Sequence, residues 1–177
     1  MPLHFVIQKH AASTLHFDLR LELDGVMKSW AVPKGPSLDP AVRRLAIQVA
    51  DHPVSYNAFE GTIAAGQYGG GTVMLWDRGT YTAADGSADD GLRRGYAEGR
   101  LDVELAGERL RGGWTLVRTA GRRASGGARQ WLLMKRRDEH AVPGSDVVAS
   151  HPTSVATGRT MDEIAADRDR HRRLPRR

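Results

Sequence analysis

From Leu15 to Leu23 apolar and polar residues alternate without a break. Leu15, Phe17, Leu19, Leu21 and Leu23 fall on one face of an extended strand, and His16, Asp18, Arg20 and Glu22 on the other. The leucine face is a core face. The opposite face lines up an imidazole, a carboxylate and a guanidinium where a solvated strand ordinarily carries Thr, Ser, Lys or Glu. Alternate side chains start about 6.6 Å apart, so His16 and Asp18 are close enough to share one small ion.

The same two-residue period recurs along the chain. His4 to His10 reads as a short strand, joined through Ala11 to Thr14 to the strand just described. Asp24-Gly25 predicts a hairpin turn into Val26 to Val32, and Pro33-Lys34-Gly35-Pro36 then fixes a loop that displays Lys34. Arg43 to Ala50 is a strand with Leu45, Ile47 and Val49 on one face and Arg44, Ala46 and Gln48 on the other, leading into Asp51-His52-Pro53. Tyr56 to Gly71 is glycine-rich and loop-like. Thr72 to Trp76 is a strand that Asp77-Arg78-Gly79 turns into Thr80-Tyr81, Ala83 to Asp90 is an exposed connection, and Gly91 to Glu98 is a short helix. Arg100 to Leu105, Trp114 to Arg118 and Gln130 to Lys135 complete the strands, with Arg118 to Arg129 a mobile hairpin loop.

Many short strands with turns at close intervals predict an all-β, mainly antiparallel chain, closed or nearly closed into a small β-barrel with one short helix. Composition changes beyond Pro143. Residues 1–143 are therefore read as the barrel domain, and 144–177 as a linker and flexible basic tail. In that tail Thr160-Met161-Asp162-Glu163 forms a capping box that opens a short helix ending near Leu174-Pro175.

Composition narrows the chemistry. A chain of 177 residues with 40% hydrophobic content supports one domain with a real core. There is no cysteine, which leaves His, Asp and Glu as the strong metal ligands and favours a hard or borderline divalent ion. The N-terminus has no basic stretch followed by an apolar run, and no segment approaches a membrane span, so a cytoplasmic protein without membrane association is expected. Residues 159–177 hold 7 Arg against 4 acids, or +3 of the total +5. The body carries only +2, so any polyanion site on it is a local patch.

His10, His16 and Asp18 offer two imidazoles and one carboxylate from adjacent segments, a set that suits manganese, iron or zinc with positions left open for substrate. The plain alternative is that His10 caps a turn while His16 and Asp18 form an ordinary surface hydrogen bond. Arg20 on the same face favours the first reading, because a guanidinium beside a metal grips a phosphate oxyanion. His52 is placed to supply a proton or hold a phosphoryl oxygen, against the alternative of a strand-end histidine bonded to a backbone carbonyl. Tyr56 suits a hydrogen bond to the phosphate, against simple packing. Lys34 and Arg44 suit flanking phosphates, against solvated charges. The run Gly66 to Gly71 lacks the lysine and spacing of a P-loop and is read as backbone freedom beside the site.

Six blocks carry a likeness: Gln8-Lys9-His10, Leu15 to Glu22, Trp30-Ala31-Val32-Pro33-Lys34-Gly35-Pro36, Asp51-His52-Pro53, Phe59-Glu60-Gly61 and Gly66-Gln67-Tyr68-Gly69-Gly70-Gly71. With Trp131 to Lys135 near its end, the stretch from about Phe5 to Asp138 resembles the 3′-phosphoesterase domain of bacterial DNA ligase D. The resemblance implies a manganese-dependent enzyme on a small β-barrel, with Co2+ or Zn2+ as other metals it accepts. Such an enzyme acts at the 3′ end of a primer strand, removes a terminal ribonucleoside to leave a 3′-phosphate, and hydrolyses that to a 3′-hydroxyl for a polymerase or ligase. It implies His10, His16 and Asp18 as metal ligands, Arg20 and His52 at the scissile phosphate, and Tyr56, Lys34 and Arg44 assisting. The implied partners are primer-template DNA ends, a DNA ligase, a repair polymerase and the bacterial Ku end-binding protein, in a nucleoid-associated setting. The chain is too short for polymerase or ligase domains, so it is expected to be a stand-alone member or a piece of a larger ligase.

Two departures from the family pattern stand out: Ala50, where similar sequences often carry an acid before Asp-His-Pro, and Ala64-Ala65, where a proline is common. Two competing functions remain at this stage, a non-catalytic nucleic-acid-binding barrel of a repair ligase complex and a hydrolase of small phosphoesters.

Overall fold

Asp24 and Gly25 both take positive φ, 54° and 78°, the conformation that lets a two-residue turn match the twist of antiparallel strands. In the computed structural model, which describes residues 2–119 and 129–172, this turn joins β2 (Leu15–Leu23) to β3 (Val26–Val32). β1 (Leu3–Ala11) pairs with β2 so that His10 stands opposite His16 and Gln8 opposite Asp18. The remaining strands are β4 (Arg44–Pro53), β5 (Gly61–Ile63), β6 (Gly71–Ala83), β7 (Arg100–Gly107), β8 (Arg111–Arg118) and β9 (Gln130–Lys135). Their order, β1-β2-β3-β4-β9-β8-β7-β6, closes because β6 also pairs with β1. The expected antiparallel barrel is thus closed with eight strands, and β5 is added outside the ring along the start of β6.

All four tryptophans of the chain, Trp30, Trp76, Trp114 and Trp131, are at most 1% exposed. They pack inside the barrel with Phe5, Ile7 and the β2 residues Phe17, Leu19, Leu21 and Leu23. Each fully buried Leu or Phe contributes roughly 1.5–3 kcal/mol, so the interior holds the fold and the polar face of β2 is left for other chemistry. α1 (Asp89–Glu98) carries Asp89 and Asp90 in its first turn, where they favour the helix dipole, and ends at Gly99 with φ 85°. Leu92 is buried, and Tyr96 packs against Trp30 and Trp131. No helix among the described residues is long and apolar enough to cross a membrane.

The expected turn at Asp77-Arg78-Gly79 is not made; β6 runs straight through it. Asp77 is fully buried and accepts the backbone N–H groups of Arg78, Glu108, Arg109 and Leu110, which ties β6 to the β7–β8 turn. A bulge opposite Ile7 and Gln8 re-phases the strand instead, so that Met74 and Trp76 before it and Tyr81 and Ala83 after it all point inward. The glycine-rich stretch after β4 also contains more structure than expected, a 3₁₀ turn over Val54–Ala58 followed by β5.

On β4 the interior face is the one with Ala46 and Gln48. Ala46 is fully buried and Leu45 is 41% exposed, because Trp30 and Trp131 fill the interior at this level. Gln48 is satisfied there by accepting from Trp131 Nε1 at 3.2 Å and donating to the Tyr96 hydroxyl.

The segment set apart by composition after Pro143 packs, in its described part, on the barrel. α2 (Val147–Ser150) is capped by Asp146, which accepts from Ala149 N–H at 3.1 Å, and buries Val147. Trp76 Nε1 donates to His151 O at 2.8 Å, and Val155 N–H to Leu75 O at 3.0 Å. α3 (Met161–Arg172) opens with the predicted box: Glu163 N–H donates to Thr160 Oγ1 at 3.2 Å, and Ile164 joins the core cluster. The helix end expected near Leu174-Pro175, the tail beyond it, and the loop tip at 120–128 lie outside the described residues.

Candidate active site

The pairing of β1 with β2 brings the polar faces of both strands together. His10 Nδ1 stands 3.6 Å from Asp18 Oδ2, His16 Nε2 stands 3.2 Å from Asp18 Oδ1, and the two imidazole centroids are 4.9 Å apart. One donor atom from each of the three residues lies within 4.8 Å of the others. Donors that share one transition-metal ion at about 2.1 Å stand about 3–4 Å apart, so closure by about 1–2 Å is all a cation requires.

The second nitrogen of each ring decides what faces the carboxylate. His10 Nε2 is 3.0 Å from Gly70 O and His16 Nδ1 is 3.2 Å from Thr14 O. A carbonyl only accepts, so each of these nitrogens carries the proton. In the neutral rings the nitrogens that face Asp18 are therefore lone pairs directed at an anion. A cation among the three removes that repulsion. The donor set thus fits a divalent metal, and backbone carbonyls orient both imidazoles as ligating histidines require.

With no cation present, a protonated ring relieves the same repulsion, because the nitrogen that faces Asp18 then donates to it. Burial by itself would raise the Asp18 carboxyl, but hydrogen bonds from His10 and His16 and the charge of Arg20 hold it well below the usual carboxylate range. The hydrogen bond to Asp18 raises His16 above 6.5 against the opposing effect of burial.

Arg20 lies deeper, 3% exposed. Its Nε donates to Gln8 Oε1 at 2.8 Å, its Nη1 to Ser29 Oγ at 2.9 Å, and its Nη2 is 3.6 Å from Asp18 Oδ2. Gln8, fully buried, also donates through Nε2 to Tyr56 O at 3.0 Å and Phe59 O at 3.2 Å. One amide therefore orients the guanidinium and anchors the 3₁₀ turn that carries Tyr56. The Tyr56 ring lies 5.2 Å from the Arg20 guanidinium, and burial raises its phenol, so the hydroxyl keeps its proton.

His52 reaches the same cleft by an irregularity. Val49 pairs with Ser29 and His52 with Met27, so three steps on β4 match two on β3. The extra residue turns His52 onto the face of Val49, although simple alternation would set it with Arg44, Ala46 and Gln48. The His52 ring then sits 5.3 Å from Tyr56 and 6.3 Å from Tyr68. Its Nδ1 is 3.0 Å from Ala50 O, which leaves Nε2 as the free ring nitrogen. Burial and the Arg20 charge push this imidazole below its ordinary range.

Six of the eight residues singled out in the sequence, His10, His16, Asp18, Arg20, His52 and Tyr56, line one cleft of about 280 Å³. Lys34 and Arg44 do not line it. Lys34 sits on the exposed turn after β3, closed by Gly35 N–H to Val32 O at 3.1 Å. Arg44 shares the β4 face of buried Ala46, with its Nε out of contact with solvent. Gln8, Ser29 and Tyr68 belong to the site without having been assigned to it from the sequence. Gln8 had a signal, since parity on β1 sets it beside His10.

A small antiparallel barrel that gathers two imidazoles, a carboxylate and a buried guanidinium in one cleft belongs to the class of barrel proteins with a site suited to a cation and an oxyanion. The family model described as the DNA ligase D 3′-phosphoesterase domain matches residues 8–118, and the chain belongs to that family. It is 50% identical over 161 residues to the multifunctional non-homologous end joining protein LigD of Pseudomonas aeruginosa, covering 90% of this chain and 18% of that protein. It is 45% identical over 135 residues to the multifunctional non-homologous end joining DNA repair protein LigD of Mycobacterium tuberculosis (76% and 16%) and 40% identical over 136 residues to LigD of Mycolicibacterium smegmatis (76% and 17%). The chain thus spans less than a fifth of each of these relatives.

Proposed function

We propose that this protein is a divalent-cation-dependent hydrolase of 3′-terminal phosphoesters that removes 3′-ribonucleosides and 3′-phosphates from primer-template ends and leaves a 3′-hydroxyl for repair and end joining. The observation that carries the reading is the Asp18 carboxylate, faced by ring nitrogens of His10 and His16 and by Nη2 of Arg20. Family membership supplies the substrate class.

His10, His16 and Asp18 would hold the metal, with Mn2+ the assigned ion and Co2+ or Zn2+ acceptable to the same donors. When bound, it polarises a phosphoryl oxygen and offsets the charge that develops on it. Arg20 binds the phosphate in a fixed orientation, since Gln8 and Ser29 restrain its guanidinium before substrate arrives. His52 holds its proton on Nδ1 against Ala50 O. Its Nε2 takes a proton from the attacking water and, once protonated, returns it to the leaving oxygen or holds a phosphoryl oxygen. Tyr56, kept neutral by burial, donates its hydroxyl proton in a hydrogen bond to the ester. Lys34 and Arg44 are assigned to flanking backbone phosphates at the end of the barrel where β4 begins.

Purified protein with Mn2+ should convert a 3′-phosphorylated primer-template into one that a polymerase extends, and a chelator should stop it. No conversion under these conditions, with the DNA still bound, would replace the enzyme by a binding module. A DNA ligase, a repair polymerase and Ku are assigned as partners in the nucleoid-associated cytoplasm. Co-purification from cells that recovers none of them counts against that assignment.

A further inference from the structure

Tyr68 is 79% exposed, the most exposed large apolar or aromatic side chain among the described residues. Its ring nonetheless lines the 280 Å³ cleft and lies within 28° of parallel to the His52 imidazole. The backbone that carries the ring is constrained. Gly66 and Gly69 adopt positive φ (87° and 73°), and Gly70 N–H closes back on Gln67 O at 2.9 Å, so Tyr68 occupies the second position of a tight turn. The Gly70 carbonyl then accepts from His10 Nε2, and a Cβ at position 70 would stand 3.0 Å from Ala64 O. The turn that presents the aromatic ring is thereby pinned to a proposed cation ligand.

The cleft wall mixes charged and neutral groups: His16, Asp18 and Arg20 line it together with Ala31, Val49 and the Tyr68 ring. A molecule that uses both kinds of wall carries an anionic group and a flat uncharged one. An adjoining groove of about 450 Å³, lined by Ala12, Ser13, Ala65, Gln67 and glycines beside His10, contains no Lys, Arg, Asp or Glu. It adds room for a neutral body and offers no lysine or arginine to a second phosphate.

Resting on the phosphoesterase reading above, we propose that Tyr68 is a stacking platform for the nucleobase at the strand end whose phosphoester meets Arg20, and that it makes the site favour a nucleotide end over a phosphoester lacking a base. Every base has an aromatic face, so such a platform binds without sequence preference. A π-face needs no hydroxyl, so phenylalanine serves equally well.

The test uses a 3′-phosphorylated primer-template with 2-aminopurine as the terminal base and, in parallel, the same duplex ending in an abasic 3′-phosphate. Tyr68 is exposed, so Tyr68→Ala and Tyr68→Phe should keep the wild-type melting temperature. Wild type and Tyr68→Phe should quench the 2-aminopurine, and Tyr68→Ala should bind the duplex without quenching it. Tyr68→Ala should lose about tenfold in kcat/KM on the base-bearing end, the order of one base–aromatic stack, and nothing on the abasic one. Equal quenching and equal kcat/KM for Tyr68→Ala and wild type would overturn the platform while leaving the phosphoesterase intact. Failure of the wild type to convert either duplex would overturn the phosphoesterase reading, and the platform with it.

Discussion

Arg20 Nε donates to Gln8 Oε1 at 2.8 Å in the buried base of the cleft, and the other end of the same amide donates to the carbonyls of Tyr56 and Phe59. One side chain thereby couples the guanidinium to the 3₁₀ turn above it. Gln8→Ala should lower phosphatase turnover by about 10–100-fold, the usual cost of losing an orienting partner. It should also cost about 1–3 kcal/mol of stability for the groups left unpaired. Steady-state kinetics and denaturant unfolding of this variant check both, and unchanged turnover would remove Gln8 from the machinery.

His16→Ala should abolish turnover and weaken Mn2+ binding by more than the roughly 100-fold expected for an outer partner. The barrel should stay folded, because the ring bonds only Thr14 O and Asp18 outside the core. Calorimetric titration with Mn2+, set beside a thermal melt, separates the two effects. Metal affinity at the wild-type level would strike His16 from the donor set.

The raised His16 imidazole gives pH dependence a definite sign. Without metal, the stability it contributes is full below 6.5 and is lost as pH rises through its elevated folded value. Metal binding runs the other way, since a protonated ring cannot ligate. The gain in melting temperature on adding Mn2+ should therefore shrink steadily as the solution is acidified from pH 8 to pH 6. A gain independent of pH would count against an imidazole ligand.

Asp138 offers a second titration far from the site. Burial opposes its ionisation, but hydrogen bonds from Lys135, Gly113 N–H and His140 N–H lower it from 3.8 to about 2. Its contribution is present above 3.8 and disappears as pH falls through about 2. Asp138→Asn should melt below wild type at pH 7 and approach it near pH 2, where both carry a neutral group.

Glu60 ties the barrel to the segment beyond residue 143. Its side chain, 5% exposed, accepts from Leu75 N–H at 2.9 Å, Thr157 Oγ1 at 2.6 Å and Arg159 Nη2 at 3.1 Å. Arg159→Ala should cost about 1–3 kcal/mol by stranding a carboxylate that is largely out of water. A chain ended at residue 143 should be destabilised further, because it also uncovers the site of Val147 and Ile164 in the core. Equal unfolding midpoints for 1–143 and the full chain would support the boundary that composition marks at Pro143.

Much of the site was readable before any coordinates. Strict alternation on β2 puts His16, Asp18 and Arg20 on one face, and Asp24-Gly25 demands a tight hairpin; both rules act within a few residues of the chain. Barrel closure was inferable from the number and spacing of strands. The partition of β4 was not. Its bulge exists only because three residues there must match two on β3, and this sends His52 into the cleft and leaves Arg44 on the other face. Gln8, Tyr68 and Glu60 take their roles from groups 12 to 99 positions away, and so does the packing of Val147 and Ile164. Local periodicity determined which chemical groups share a strand face; which faces meet, and what covers them, depended on long-range pairing and packing that no short window of sequence contains.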